Sequence, residues 1–298
     1  MTETKPRLGF VGLGIMGAPM AENLREAGYP LVVHNRGRAK AERFVAAGAA
    51  WAARAAEVAE QADIVITMLP DTPDVESVYF GPDGLMRSAR AGHLLIDMST
   101  VSPAIARRIS GAARAVGADS LDAPVSGGDV GAKAGTLSIM VGGSASGFAR
   151  AYPVFQVLGK NIVHLGEAGA GQVTKACNQI VVALTIEAVG EALVLAQKSG
   201  VDPAGVRQAL LGGFAQSRVL EVHGQRALEQ RYEPGFRLRL HRKDLAIALD
   251  AAQQLGVSVP VTALVHDMMN SLLANGQGDD DHSVLIRELA RRANARFA

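Results

Sequence analysis

Three glycines near the N-terminus constrain the fold of this chain more than any other feature. Gly12, Gly14 and Gly17 follow an apolar run at 8–11 in G-x-G-x-x-G spacing, and a helical pattern follows them. In a strand–loop–helix unit the first glycine permits a tight turn, the second lets the backbone approach a pyrophosphate, and the third lets the helix pack on the strand. The stretch predicts dinucleotide binding, with a ligand-free tight turn as the alternative. The predicted contacts are Gly12, Leu13, Gly14, Ile15, Met16 and Gly17.

Strand and helix patterns alternate up to Gly166, and beyond it the pattern is helical. Such alternation predicts an α/β fold, with a mostly parallel Rossmann-type sheet covered by helices on both faces. We therefore predict an NAD(P)-binding domain at 1–166 and an all-helical substrate and dimerisation domain at 167–298. The helical domain begins with a long apolar helix at about 172–199. Its further predicted helices are 203–211, 218–231, 244–255, 261–275 and 283–295.

Composition excludes several other classes of protein. The net charge of +1 does not favour a nucleic-acid or anionic-membrane surface. The single cysteine, Cys177, cannot form an internal disulfide, which favours a reducing compartment. The N-terminal residues lack an apolar signal region, and no uncharged apolar run reaches the roughly 18 residues of a membrane span. We expect a cytoplasmic enzyme that acts on a small molecule.

The end of the second predicted strand bears on the choice of cofactor. NAD-binding folds place a carboxylate there for the ribose 2′-hydroxyl, but this chain has Asn35 followed by Arg36. Asn35 can bind the ribose without repelling a phosphate, and Arg36 can pair with a 2′-phosphate. This favours NADP over NAD, unless both are solvated surface residues.

Two further strand ends are predicted to line the cofactor crevice. Met68, Leu69 and Pro70 follow one strand, and Thr100 follows the next, where it can reach the nicotinamide or its ribose. For Ser99 and Thr100, capping of the helix that starts near Pro103 is an alternative role.

Two stretches carry the predicted chemistry. Ser126, Gly127 and Gly128 form a glycine-rich loop whose donors can bind a carboxylate, although the same residues also suit an ordinary turn. Lys175 begins the long apolar helix, where partial desolvation makes its proton easier to transfer. Asn178 and Gln179 lie three and four residues later, on roughly the same helix face. A snorkelling lysine is the alternative there.

The last informative stretch of the chain gives weaker evidence for function when only the spacing of its residues is considered. Phe236 can form an apolar wall over a nicotinamide, and Lys243 can reach a cofactor or substrate anion, with Asp244 holding it or capping a helix. His282 and the acidic run 279–281 have the composition of a solvated loop. We predict no metal site, because no cluster has metal-ligand spacing.

Taken together, these motifs resemble the β-hydroxyacid dehydrogenase family. The resemblance covers nearly the whole chain in order. It is carried by GFVGLGIMGAPMAENL (9–24), MLPDTPDV (68–75), LIDMST (95–100), DAPVSGG (122–128), GTLSIMVGG (135–143), GAGQVTKACNQIVVA (169–183) and PGFRLRLHRKDL (234–245). Within the family, the sequence is most similar to the branch that reduces tartronate semialdehyde.

The resemblance implies a function for each motif. Lys175 would be the general acid, the loop 126–128 would hold the substrate carboxylate, Asn178 and Gln179 would orient the substrate, and Lys243 would lie near the nicotinamide. Family members often have Asn at the position of Gln179 and Asp at that of Asn35, where Asp accompanies NAD use. The helical domains of the family pair into dimers or tetramers.

Other functions remain open at this stage. The substrate can instead be 3-hydroxyisobutyrate, succinic semialdehyde or glyoxylate. An imine reductase is disfavoured because such enzymes generally lack a lysine where Lys175 stands. A non-catalytic, cofactor-binding interaction protein is the alternative from another class.

Overall fold

The computed structural model describes residues 5–297. The chain divides into two compact units between Lys175 and Ala176. This division falls inside the long helix, whereas the predicted boundary, at residue 166, precedes it.

The first unit is built on one nine-stranded sheet with the order β3-β2-β1-β4-β5-β6-β8-β7, and β9 also pairs with β8. Its strands are β1 (Leu8–Val11), β2 (Leu31–His34), β3 (Ala50–Trp51), β4 (Ile64–Thr67), β5 (Leu94–Asp97), β6 (Asp119–Asp122), β7 (Val125–Ser126), β8 (Leu137–Gly143) and β9 (Gly159–Gly166). The pairs from β3 to β6 and the pair β8–β9 are parallel, whereas β8 runs antiparallel to β6 and β7. The predicted mostly parallel sheet is confirmed.

Helices cover both faces of this sheet. They are α1 (Gly17–Glu26), α2 (Glu42–Ala46), α3 (Ala55–Gln61), α4 (Thr72–Phe80), α5 (Pro103–Ala115), α6 (Gly128–Ala134) and α7 (Ala145–Leu158). Along β1, Leu8 and Phe10 belong to one hydrophobic core, and Val11 belongs to the core on the other face. Because strands buried on both faces need apolar residues at successive positions, they read as continuous apolar runs.

Helix α8 (Ala170–Lys198) starts in the first unit and continues into the second. An 18-residue window in it has a mean hydropathy of 1.8, so by length and composition it could cross a membrane. Half of that window is buried inside the protein.

The second unit is helical. Besides its part of α8, its helices are α9 (Pro203–Leu211), α10 (Arg218–Leu228), α11 (Leu238–Gln254), α12 (Pro260–Ala274) and α13 (Val284–Arg292). Its core combines Ile186 and Leu193 of α8 with side chains such as Leu245, Met269 and Ile286. The predicted all-helical region is confirmed.

Two local predictions were wrong. The glycine-rich stretch after β6 is not only a loop, because it contains the two-residue strand β7 and the seven-residue helix α6. Both elements are too short to leave a periodic pattern. Helix α11 begins at Leu238, earlier than the predicted 244, because Leu238, His241 and Leu245 share its buried face.

Candidate active site

The glycine loop of the first unit has the geometry of a phosphate cradle. Gly12 has φ +101°, and a Cβ there would overlap the carbonyl oxygen of Met68 in the loop after β4. A Cβ on Gly17 would overlap the carbonyl oxygen of Gly12, which accounts for the close packing of α1 on β1. At Gly14 an added Cβ would meet no described atom within 4 Å, so backbone borders open space. Since the N–H groups of a first helical turn have no intrahelical partner, the loop fits a pyrophosphate.

The end of β2 shapes the adjacent part of the crevice. The Asn35 carboxamide accepts a hydrogen bond from the Leu13 backbone N–H at 3.0 Å and donates to the Gly37 carbonyl at 2.9 Å. Asn35 therefore fixes the glycine loop, a role that the sequence interpretation missed. Arg36 is exposed beside it, and the Arg38 guanidinium lies 5.8 Å from the Trp51 ring centroid.

A buried polar network supports the loop that contains Met68, Leu69 and Pro70. The Ser99 hydroxyl accepts from the Leu69 N–H at 2.8 Å and donates to Asp97 at 2.6 Å. Thr67 also donates to Asp97, at 2.7 Å. Burial raises the pKa of Asp97 to about 6 even though these hydrogen bonds act in the opposite direction.

Helix α5, which follows β5, is capped by a residue other than those proposed from the sequence. The Ser102 hydroxyl accepts from the Ile105 N–H at 3.3 Å. The alternative role of Ser99 and Thr100 as caps was therefore wrong, and Thr100 remains half-buried at the end of β5.

The predicted carboxylate-binding residues lie on an antiparallel hairpin beside β6. Ser126 belongs to β7 and pairs with Ser138 of β8. Gly127 and Gly128, with φ values of +133° and +62°, turn the chain from β7 into α6. Ser126 and Gly128 are half-buried and Gly127 is exposed, so a ligand can reach their polar groups.

The first turn of α8 is tied to the end of β6 by Asp122. This buried carboxylate accepts from the Gly169 N–H at 2.7 Å and from the Gln172 N–H at 2.9 Å. Burial raises the pKa of Asp122, against the effect of these hydrogen bonds. Asp122 thus caps the helix on which Lys175 lies one turn later.

Gln172 adds a second attachment of the same helix. Its side chain accepts from the Val101 N–H at 3.1 Å and donates to the Ser99 carbonyl at 2.8 Å. Lys175 is only 6% exposed. Its burial agrees with the predicted desolvation, whereas an exposed snorkelling lysine does not fit.

The predicted residues of the second unit form one polar network. The Asn178 carboxamide donates to Gln179 Oε1 at 2.8 Å, and Gln179 Nε2 donates to Asp244 at 2.5 Å. Asp244 is 2% exposed and pairs with the Lys243 ammonium at 3.1 Å. Because α11 begins before these residues, Asp244 holds Lys243 and Gln179 and does not cap the helix.

Phe236 packs on imidazoles in the second unit. Its ring centroid lies 5.7 Å from that of His241 and 5.4 Å from that of His282. The interpretation of 279–282 as a solvated loop was wrong for Asp281 and His282, which are 0% and 5% exposed. Asp281 tolerates burial because it pairs with Arg226 at 2.8 Å and accepts four hydrogen bonds, from backbone N–H groups and a hydroxyl.

This cluster also bears on the prediction of no metal site. His223, Asp281 and His282 bring potential ligand atoms within 4.8 Å of one another. However, Arg226 already neutralises the Asp281 carboxylate, and the two imidazoles are hydrogen-bonded to each other. We therefore describe the cluster as a hydrogen-bond network.

Several residues that build the site were not predicted to do so. Asp97, Ser99, Asp122 and Gln172 are buried polar residues that position predicted ones. The signal in the sequence was a polar residue at the end of an apolar strand or within an apolar helix face, where burial requires a hydrogen-bond partner.

The fold and the cofactor crevice together define an NAD(P)-dependent oxidoreductase with a Rossmann-type unit and a helical unit. The family model described as the NAD binding domain of 6-phosphogluconate dehydrogenase matches residues 7–166. The model described as NAD-binding of NADP-dependent 3-hydroxyisobutyrate dehydrogenase matches residues 169–289.

Comparison with individual proteins is consistent with these matches. The 2-hydroxy-3-oxopropionate reductase of Escherichia coli (strain K12) is 49% identical over 98% of this chain and 100% of its own length. A 3-hydroxyisobutyrate dehydrogenase of Pseudomonas aeruginosa is 41% identical, over 93% of this chain and 95% of its own. The Mycobacterium tuberculosis 3-hydroxyisobutyrate dehydrogenase, solved with L-serine, superposes with a TM-score of 0.89 at 36% identity, covering 96% of this chain and 99% of its own.

The chain belongs to the 3-hydroxyisobutyrate dehydrogenase family of β-hydroxyacid dehydrogenases. It is an NAD(P)-dependent hydroxyacid dehydrogenase.

Proposed function

We propose that this enzyme reduces tartronate semialdehyde (2-hydroxy-3-oxopropanoate) to D-glycerate, with NADPH as the preferred reductant. The observation that carries the proposal is Lys175, a buried lysine one turn into a helix whose first turn is fixed by Asp122. The choice of substrate is supported by the 49% identity to the 2-hydroxy-3-oxopropionate reductase.

In this mechanism the chain binds, orients and protonates the substrate. A nicotinamide held in this crevice would supply the hydride for the aldehyde carbon. Lys175, as an ammonium, donates a proton to the oxygen that becomes the alcohol and stabilises its developing charge. The resulting neutral amine is reprotonated from solvent before the next turnover. Ser126, Gly127 and Gly128 would hold the substrate carboxylate, and Asn178 and Gln179 would orient the substrate.

The remaining predicted residues would bind the cofactor. The glycine loop 12–17 would hold the pyrophosphate, and residues 68–70 and Thr100 would border the nicotinamide half. Phe236 and Lys243 are the cofactor contacts expected from the helical unit. Asn35 keeps the glycine loop in shape, and the exposed Arg36 is available for a 2′-phosphate.

The first test is substitution of the proposed acid. Lys175→Met should lower kcat about 1000-fold while leaving the NADPH Kd within about twofold, because a general acid contributes rate and not cofactor affinity. Lys198→Met is the matched control, since Lys198 is exposed on the same helix. Turnover like that of the wild type in Lys175→Met would remove Lys175 from the mechanism.

A substrate panel tests the specific reaction. The panel contains tartronate semialdehyde, glyoxylate, succinic semialdehyde and methylmalonate semialdehyde, each assayed with NADPH and NADH. We expect tartronate semialdehyde to have the highest kcat/KM. A lead for methylmalonate semialdehyde would instead place the enzyme with the 3-hydroxyisobutyrate dehydrogenases. Tight NADPH binding without turnover of any member would favour the non-catalytic alternative.

The cofactor preference has its own test. Arg36→Ala should raise the KM for NADPH about tenfold, because it removes a charge-assisted contact to the 2′-phosphate, and should leave the KM for NADH unchanged. Arg114→Ala, which removes another exposed arginine of the same unit, is the control. A wild-type preference for NADH would refute the assignment.

We also propose that the helical unit self-associates into a dimer or tetramer. Val181 and Leu195 of α8 are 65% and 69% exposed, and Leu264 of α12 is 59% exposed. Exposed apolar side chains of this size favour burial against a second copy. Light scattering of the purified protein should give at least twice the chain mass, and a monomer would contradict the proposal.

A further inference from the structure

Three imidazoles of the second unit form a continuous hydrogen-bonded chain. His223 lies on α10, His241 lies on α11, and His282 precedes α13. The Nε2 atoms of His223 and His282 are 3.1 Å apart, and the Nδ1 atoms of His282 and His241 are 2.8 Å apart. The chain ends where His241 Nε2 lies 3.1 Å from the backbone carbonyl oxygen of Gln179 on α8.

When all three rings are neutral, the carbonyl at the end of the chain fixes the proton on each of them. A carbonyl oxygen only accepts, so His241 Nε2 carries a hydrogen, and in a neutral ring its Nδ1 is then an acceptor. His282 must therefore donate through Nδ1 and accept through Nε2, and His223 must donate through Nε2. The lone pair left over is on His223 Nδ1.

His223 Nδ1 makes no hydrogen bond among the described residues that would require a proton on it. This Nδ1 atom is buried and lies 3.7 Å from Asp281 Oδ1, beyond hydrogen-bond distance. Burial is the main effect on the pKa of His223 and lowers it, which keeps the ring neutral at neutral pH; Arg226 acts in the same direction and Asp281 against it.

The chain ends on a residue that is held at two points. The Gln179 side chain is fixed by Asn178 and Asp244, and its backbone carbonyl accepts from His241. Asp244 and His241 both lie on α11. One helix thus controls the carboxamide and the backbone position of Gln179.

We propose that His241, with its protonation state set by His282 and His223, is a positioning residue for Gln179 and thereby determines the affinity for the carboxylate-bearing substrate. This inference rests on the proposed function, in which Asn178 and Gln179 orient that substrate.

The kinetic test uses two substitutions at one position. His241→Phe removes the donor to Gln179 and should raise the KM for the semialdehyde about tenfold, with a smaller change in kcat and an unchanged Kd for NADPH. His241→Gln retains an N–H donor of similar reach and should recover most of the affinity. His282→Phe and then His223→Phe should have successively smaller effects, since they act on Gln179 only through His241.

A control separates positioning from general destabilisation. Leu272→Ala removes a core side chain of the same unit that lies outside the histidine chain. It should lower the melting temperature and leave the KM unchanged. An unchanged KM in a folded His241→Phe variant, or an equal rise in His241→Phe and Leu272→Ala, would overturn the proposal.

A second measurement does not depend on activity. Long-range ¹H–¹⁵N spectra of ¹⁵N-histidine-labelled protein should show His223 and His241 protonated at Nε2 and His282 at Nδ1. If no semialdehyde turns over but these tautomers are found, the proposed function fails while the histidine chain stands. Other tautomers, or stoichiometric Zn²⁺ binding that is lost in the His282→Phe variant, would refute the positioning chain.

Discussion

Replacement of Asp122 by Asn should weaken the attachment of α8 to the sheet. The carboxylate accepts from Gly169 and Gln172 through different oxygens, at 2.7 and 2.9 Å. Asn keeps one acceptor and turns an NH₂ group toward the other N–H. Hydrogen bonds to charged groups contribute about 1.5–3 kcal/mol each, and the neutral amide also loses the interaction with the helix dipole, worth about 0.3–1 kcal/mol. Because the amide costs less to bury than a carboxylate, the expected net loss is about 2 kcal/mol.

The same change should be visible in catalysis, because Lys175 lies one turn beyond the Asp122 contacts. A displacement of about 1 Å can lower a rate about 100-fold, so we expect kcat to fall 10- to 100-fold with an unchanged Kd for NADPH. Urea unfolding measures the change in stability. Steady-state kinetics measure kcat, and a fluorescence titration measures the Kd for NADPH.

Asp119→Asn is a closely matched control. Asp119 begins the strand that Asp122 ends, and it accepts from the Ser144 hydroxyl at 2.6 Å. The Asp119→Asn substitution can lower the free energy of unfolding but should leave kcat unchanged. If Asp122→Asn keeps the kcat of the wild type, or if both variants lose it equally, the inferred link between Asp122 and Lys175 is incorrect.

Three further perturbations test other parts of the structure. Burial is the main cause that raises the pKa of Glu187, from 4.5 to about 7, so the folded state binds its proton more tightly and stability falls as pH rises through this window. Glu187→Gln should abolish that loss. The gain in the free energy of unfolding over the wild type should be up to about 3 kcal/mol larger at pH 8 than at pH 4, as urea titrations at the two values would reveal. Ser99→Ala leaves the Leu69 N–H without its hydroxyl acceptor and should weaken NADPH binding about tenfold in a fluorescence titration; an unchanged Kd would argue against a role for this loop in cofactor binding. Gly142→Ala would place a Cβ 2.6 Å from Asp122 Oδ1 and should reduce kcat as Asp122→Asn does, whereas Gly111→Ala in α5, where no described atom lies within 4 Å, should be neutral or stabilising in thermal unfolding.

The parts of the fold that could be predicted are those with local causes. Gly12 and Gly17 revealed the first strand–loop–helix unit because the turn itself creates the positive φ of Gly12 and the close contact of Gly17 with the Gly12 carbonyl. The parallel strands could be recognised because burial on both faces leaves continuous apolar runs. The α/β class and the cofactor crevice followed from these two features alone.

The interactions that support the site could not be predicted because their partners are remote in sequence. Asp122 meets Gly169, and Gln172 meets Ser99, only after the sheet has formed. The error at Asp281 has the same origin. An acidic run is typical of solvent-exposed loops, and burial of its last member became favourable through Arg226 and two backbone N–H groups that the sequence does not place beside it.

Helix α8 explains why so many remote polar contacts are needed. Its apolar side chains secure it in the core but do not fix its rotation or its position along its axis to a fraction of an ångström, because apolar packing lacks direction. Directional contacts are found where the proposed chemistry needs them: Asp122 and Gln172 fix the turn before Lys175, and Asp244 and His241 fix Gln179. Each set lies within its own unit. Variants of the two sets should therefore have different kinetic signatures, in kcat for the turn before Lys175 and in substrate KM for Gln179.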